Sequence, residues 1–170
     1  MTVHLKVLML KQDDPRKCSA AKLVKFGLAK PVTRTTSRTL ILNPFSKKTL
    51  LESDKKLVRS ITGIDCSWNL AISAFQKPFT GISRKLPPLL AGNPINYSKL
   101  NKLTTVEALA GAVYILGESE LTHTLLQKFK WGPTFFALNK NLLQDYSKAQ
   151  SESEILEISH EYGLPDSQFI

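Results

Sequence analysis

Hydrophobic and polar positions change their period along this chain, and the changes mark its elements. Residues 3–10, Val-His-Leu-Lys-Val-Leu-Met-Leu, open with the alternation of a half-buried strand. The pattern from Cys18 to Ala29 predicts a helix, closed by Gly27 and Pro31. Arg38 to Asn43 reads as a short buried strand that stops at Pro44. Ser53 or Asp54 caps a short helix to about Ser60. Thr62 to Cys66 reads as a strand, Ser67 opens a helix over Trp68–Phe75, and Pro88 to Ala91 reads as another strand. Strands alternating with helices predict an α/β fold with a mostly parallel sheet and crossover connections.

After Asn96 the period is helical throughout. Thr104-Thr-Val-Glu107 is a capping box that opens a helix ending at Gly117. Glu118 to Lys130, Pro133 to Lys148 and Glu152 to Tyr162 follow as helices, so the second half reads as an all-α lobe. The expected organisation is an α/β domain over 1–95 and an all-α domain over 96–170.

One segment fits no single element. None of the 23 basic and 14 acidic residues falls between Leu86 and Tyr97, and Gly92 and Pro94 break the run. A bent apolar loop is costly, because its backbone groups still need partners. Such a loop is expected to grip a ligand or thread the fold.

Charge adds a second division. Residues 1–85 carry 17 Lys and Arg against 5 Asp and Glu, and residues 86–170 carry 6 against 9. Nine basic residues and no acid lie between Pro15 and Leu51: Arg16, Lys17, Lys22, Lys25, Lys30, Arg34, Arg38, Lys47 and Lys48. A one-sided field of this kind suits a polyanion, most simply RNA. No apolar stretch approaches the ~20 residues that span a bilayer. The N-terminus lacks a signal-peptide layout, so a cytoplasmic protein is expected. Cys18 and Cys66 have no metal-ligand spacing, and no metal is expected.

Common enzyme motifs are missing: there is no P-loop, G-x-G-x-x-G, H-E-x-x-H or G-x-S-x-G. His4, His123 and His160 are scattered. What remains is a set of turns at predicted strand ends, where ligands bind in open α/β sheets. Helices beginning at Ser19 and at Thr104 or Thr105 offer N–H groups to an anion. Trp68 offers a flat apolar face. Taken singly, each also fits a plain structural role as a cap or a core residue.

Together the segments resemble a known family. Asp13-Asp-Pro-Arg-Lys-Cys-Ser19, Asp65-Cys-Ser-Trp-Asn69, Arg84-x-Leu-Pro-Pro-Leu-Leu-Ala-x-Asn-Pro-x-Asn-Tyr97 and Leu103-Thr-x-x-Glu-Ala108 occur in order. They resemble the ribosomal-RNA aminocarboxypropyltransferases of archaea and eukaryotes, in particular the archaeal branch. That family usually has Gly after Asn-Tyr and Pro two residues later, where Ser98 and Leu100 stand here. Asn101 takes a place where tyrosine is also seen.

The resemblance implies a SPOUT-like fold tied in a C-terminal trefoil knot, whose second domain completes the knot and the cofactor pocket. It implies transfer of the 3-amino-3-carboxypropyl group of S-adenosylmethionine to N3 of a modified uridine in small-subunit ribosomal RNA, with release of methylthioadenosine. Trp68 and Ala71 would cover the methyl group, and Ser19 and Thr105 would anchor the carboxylate. Adenine would lie among Leu42, Pro44, Trp68, Leu86, Leu103 and Ala108, its edge read by backbone at Leu86 and Asn101. The ribose would bond the Ile64 carbonyl. Asp65 reads as a possible base for N3, or equally as a cap of the following helix. Arg16 to Arg38, with Lys47, Lys48, Arg59 and Arg84, would hold phosphates of the ribosomal RNA or pre-ribosomal particle. A monomer is expected, with no membrane partner. Rival readings are a SPOUT-like RNA methyltransferase and a non-catalytic RNA-binding assembly factor.

Overall fold

A computed structural model describes residues 3–10 and 18–165. Strand β1 (His4–Met9) pairs with β2 (Lys30–Pro31) on one side and β4 (Ser60–Asp65) on the other; β3 (Thr39–Leu42) lies between β4 and β5 (Ile82–Arg84). The order is β2-β1-β4-β3-β5, and every pairing is parallel. All four residues of β3 are buried, as expected of a strand covered on both faces. The pairings Leu5↔Ile61↔Leu40 and Val7↔Gly63↔Leu42 set one apolar face into the main core. Leu8, Ile41 and Ile64 face the other way, onto Val32, Phe75 and Phe79. Buried hydroxyls within the sheet satisfy one another: Ser60 donates to Thr39 Oγ1 at 2.7 Å, and Thr39 and Thr62 share a second bond of 2.7 Å.

Six helices complete the described chain: α1 (Ser19–Lys25), α2 (Ala71–Gln76), α3 (Thr105–Ile115), α4 (Ser119–Leu126), α5 (Gly132–Lys148) and α6 (Glu152–Glu161). Helix α3 is central and contacts β4, α1, α4 and α5. Its start lies close against β4: a Cβ at Gly63 would meet Thr105 Cγ2 at 3.0 Å. The main core runs from Val3 to Ile155, through both halves of the chain. No described helix is long and apolar enough to cross a membrane.

Several elements differ from the sequence expectation. Strands β2 and β5 were not anticipated. Helix α1 ends at Lys25, with Gly27 at φ 71° turning the chain. Its cap is Cys18, whose sulfur accepts from Ala21 N, and Ser19 is the first helical residue. The short helix near Asp54 is a 3-10 turn over Glu52–Lys56; Asp54 accepts from Leu51 N, three residues back. Trp68–Leu70 is also a 3-10 turn, and the α-helix starts only at Ala71.

The largest correction concerns Pro88–Ala91, which is not a strand. Only one antiparallel bridge, Leu90↔Leu100, forms there. Backbone bonds to 98–101 hold it on one side, with Ala91 N donating to Lys99 O, Ser98 N to Ala91 O and Asn101 N to Leu89 O, and side chains from distant helices hold it on the other. Asn139 accepts from Leu90 N at 2.8 Å and donates to Leu90 O at 2.7 Å. Tyr146 donates to Pro88 O at 2.9 Å, and Glu107 accepts from Gly92 N at 2.6 Å. The buried backbone from Pro88 to Gly92 is thus satisfied, while Pro94, Ile95 and Tyr97 beyond it are exposed.

Candidate active site

A cavity of about 410 Å³ opens beyond the carboxyl ends of β3 and β4 and beside Lys85 and Leu86, which follow β5. Its size is that of small-molecule and cofactor sites. Strand β4 outruns its pairing with β3, which ends at Leu42↔Gly63, so Ile64 and Asp65 project past the neighbouring strand. Helices α1 and α3 begin at the same place, because Ser19 Oγ accepts from Val106 N at 3.2 Å. This bond joins residues 87 positions apart and brings both predicted helix starts to one point.

Asp65 stands where these elements meet. Thr105 Oγ1 donates to Asp65 Oδ1 at 2.7 Å, and Cys18 Sγ donates to Oδ2 at 3.0 Å. The carboxylate is therefore fixed from the first turn of α3 and the cap of α1. It does not cap the following turn, whose N-cap is Ser67. Burial, and then the bond to Asp65, push the Cys18 thiol up to about 11, so it stays a protonated donor at neutral pH. Cys18 was anticipated only as a reduced thiol; its place ahead of a helix start was the one available signal.

Ten of the eleven residues expected around the cofactor line the cavity: Ser19, Leu42, Pro44, Ile64, Trp68, Leu86, Asn101, Leu103, Thr105 and Ala108. Ala71 is a correction: it is buried and lies outside that lining, packed into the protein at the start of α2. Trp68 is clamped: its Nε1 donates to Leu103 O at 3.1 Å, and Lys102 Nζ lies 5.1 Å from the ring centroid. Asn101 has φ 60°; its N–H is bonded to Leu89 O at 2.8 Å and its Oδ1 accepts from Leu89 N. The N–H of Asn101 is thus committed within the fold, which leaves its carbonyl for any ligand edge. Asn93, Asn96 and Ile95 also line the cavity and were not anticipated.

Of the expected phosphate contacts, Lys22, Lys25, Lys30, Arg34, Arg38, Lys47, Lys48 and Arg59 are exposed. Arg84 is a correction. Its Nη2 lies 3.1 Å from Asp54 Oδ1, and the side chain is 15% exposed. Arg84 thus ties β5 to the 3-10 turn and is not on the basic surface. Arg16 and Lys17 lie outside the described residues.

A family profile described as "Ribosome biogenesis protein, C-terminal" matches residues 40–163. A second, described as a possible Fer4-like domain of RNase L inhibitor, matches residues 3–38. That stretch holds a single cysteine, Cys18, so it lacks the ligands of an iron–sulfur cluster. Among curated proteins, the chain is 40% identical to the 16S rRNA aminocarboxypropyltransferase of Methanococcoides burtonii, over 94% of each chain. It is 46% identical to the protein of that name from Saccharolobus islandicus, over 88% of this chain and 90% of the relative. A solved structure described as the SAM-dependent rRNA:acp-transferase Tsr3 of Vulcanisaeta distributa superposes with a TM-score of 0.85 at 35% identity. The match covers 96% of this chain and 91% of that one.

Proposed function

This chain belongs to the family of 16S rRNA aminocarboxypropyltransferases, and from that membership we propose that it transfers the 3-amino-3-carboxypropyl group of S-adenosylmethionine to N3 of a modified uridine in 16S ribosomal RNA. The observation that carries the reading is the cavity in which both helix starts, Asp65 and a clamped Trp68 converge. The lining fits the cofactor. Leu42, Pro44, Leu86, Leu103 and Ala108 offer apolar walls to adenine, and the projecting Ile64 offers backbone to the ribose. The joined starts of α1 and α3 suit a carboxylate.

When bound, S-adenosylmethionine supplies a sulfonium whose three attached carbons are all electrophilic. The residues must therefore choose among them by geometry. The Trp68 ring, fixed by Leu103 and Lys102, walls one side of the cavity and leaves the opposite approach to the acceptor. Asp65, held at both oxygens, takes the proton from N3 of the acceptor base. The exposed lysines and arginines of the first half hold ribosomal-RNA phosphates, which position the strand.

The SPOUT-like knot belongs to the same proposal. It is supported by the run from Leu86, which passes between α3 and α5 with Gly92 against the Phe135 backbone. The protein acts as a monomer in the cytoplasm, and its two free thiols suit a reducing compartment.

The test is to supply S-adenosylmethionine labelled in the aminocarboxypropyl group with 16S ribosomal RNA. Label entering the RNA, with methylthioadenosine released in equal amount, is the expected result. Release of adenosylhomocysteine would instead identify a methyltransferase. Asp65→Asn is expected to lower kcat by about 10²–10⁴-fold with cofactor affinity retained; an unchanged kcat removes Asp65 as the base.

A further inference from the structure

A second aromatic and basic surface lies where the end of α1 meets the turn between α4 and α5. Phe26 caps α1 and is 46% exposed. Lys128 Nζ lies 5.4 Å from the centroid of its ring. Across the corner, Lys22 Nζ lies 5.8 Å from the Phe129 ring, and the Phe129 and Trp131 centroids are 5.1 Å apart. Lys25 and Lys130 are exposed beside them. No acidic residue occurs in 18–30 or in 121–144.

Two points set this corner apart from an ordinary lysine-rich surface. First, the lysines come from halves of opposite net charge. Folding places Lys128 and Lys130, from the acidic half, against Lys22 and Lys25 of the basic half, so positive charge is concentrated without a local carboxylate in either segment. Second, two of these ammonium groups rest on aromatic rings, and the Phe26 ring keeps nearly half its surface in water. Phe129 is buried and packs beneath the corner, so the exposed Phe26 ring among ammonium groups is what suits a single nucleic-acid strand, with a base on that ring and phosphates on the lysines. An acidic peptide would use the charges and leave the exposed ring unused.

We propose that this corner binds a single-stranded segment of the RNA substrate flanking the target nucleotide. This rests on the function proposed above. Helix α1 supplies the geometry, since it begins at the cavity with Ser19 and ends at the corner with Phe26. Seven helical steps of ~1.5 Å make about 10 Å. At a spacing of ~3.4 Å per stacked nucleotide, this is about three nucleotides of strand.

Fluorescence anisotropy with labelled decauridylate tests the proposal, alongside calorimetry with S-adenosylmethionine. Phe26→Ala is expected to weaken RNA binding about fivefold or more. The double variant Lys128→Ala/Lys130→Ala is expected to reduce the slope of log affinity against log salt by about 1.4. Cofactor affinity and melting temperature stay at wild-type values in both. RNA binding by the wild type that neither variant changes overturns the corner and leaves the proposed reaction standing. Wild-type protein that neither binds RNA nor labels ribosomal RNA overturns both. A deca-glutamate peptide whose binding these substitutions abolish, while decauridylate binding is unaffected, overturns the proposal in favour of an acidic protein.

Discussion

Ser98 and Asn101 share φ 60°, yet only one of them suits it. The left-handed region costs an ordinary L residue about 1–2 kcal/mol. Asn tolerates it, and Asn101 also spends its Oδ1 on Leu89 N. Ser98 is exposed and shows no such side-chain bond. Ser98→Gly is therefore expected to raise stability by up to about 1 kcal/mol, after subtracting the entropy that Gly adds to the unfolded chain. Asn101→Gly is expected to lower it. Urea midpoints check both, and a fall with Ser98→Gly contradicts the assignment of strain. At Cys18 the raised thiol gives a pH dependence. The folded value near 11 exceeds the unfolded 9.0, so its contribution to stability is full below pH 9 and is lost as pH rises towards 11. Wild type should lose stability over that window faster than Cys18→Ser, and native Cys18 should resist iodoacetamide at neutral pH. The triangle of Cys18, Asp65 and Thr105 was not legible as a unit, because its bonds span 47 and 40 residues. Its members were visible separately, two by their type and one by its place before a helix.

The run from Leu86 to Tyr97 shows most plainly what a pattern of residues reveals about an element. Its lack of charge marked it as buried, which holds for most of 87–93 but not for the exposed Pro94, Ile95 and Tyr97, and its Gly and Pro marked it as bent. Its conformation was hidden, because the groups that fix it, Glu107, Asn139 and Tyr146, lie 15, 49 and 58 residues away from their partners. A short apolar run looks like a strand on local grounds alone, whatever side chains go on to hold it. Strands β2 and β5 failed in the opposite sense: two and three residues carry too little pattern to register. The capped helix α3 was fully legible, since the Thr104–Glu107 box is local. Glu107 does more than cap. It also receives Gly92 N and Asn93 Nδ2, and so fastens the bent run to the start of α3. Gly92 permits that closeness, because a Cβ there would meet Phe135 N at 2.5 Å. Gly92→Ala is thus expected to destabilise the fold by about 1–3 kcal/mol through overpacking. Thermal melting reads this directly, and a wild-type melting temperature would mean that α5 shifts freely away from the run.

At the scale of the whole molecule, charge and cavity are separate devices joined by α1. The cavity is mostly apolar with one fixed carboxylate, Asp65, and in the proposed reaction it chooses the carbon and the proton. The basic surface, under the same proposal, positions the RNA through phosphates and sets how long it stays. Ten basic residues of the first half are exposed among the described residues, while Arg84 is withdrawn into a pair with Asp54. If about five of the exposed residues meet phosphates, log affinity should fall with log salt at a slope of about −3.5 for a single strand. Between 50 and 200 mM salt, RNA affinity then drops by roughly a hundredfold. Cofactor affinity should change far less over the same range, because its contacts are mostly apolar walls and neutral hydrogen-bond donors. Anisotropy with RNA and calorimetry with S-adenosylmethionine, run in the same buffers, separate the two devices. An RNA affinity that stays level across that range would mean that the basic surface is only solvated, and that the substrate is held by the cavity alone.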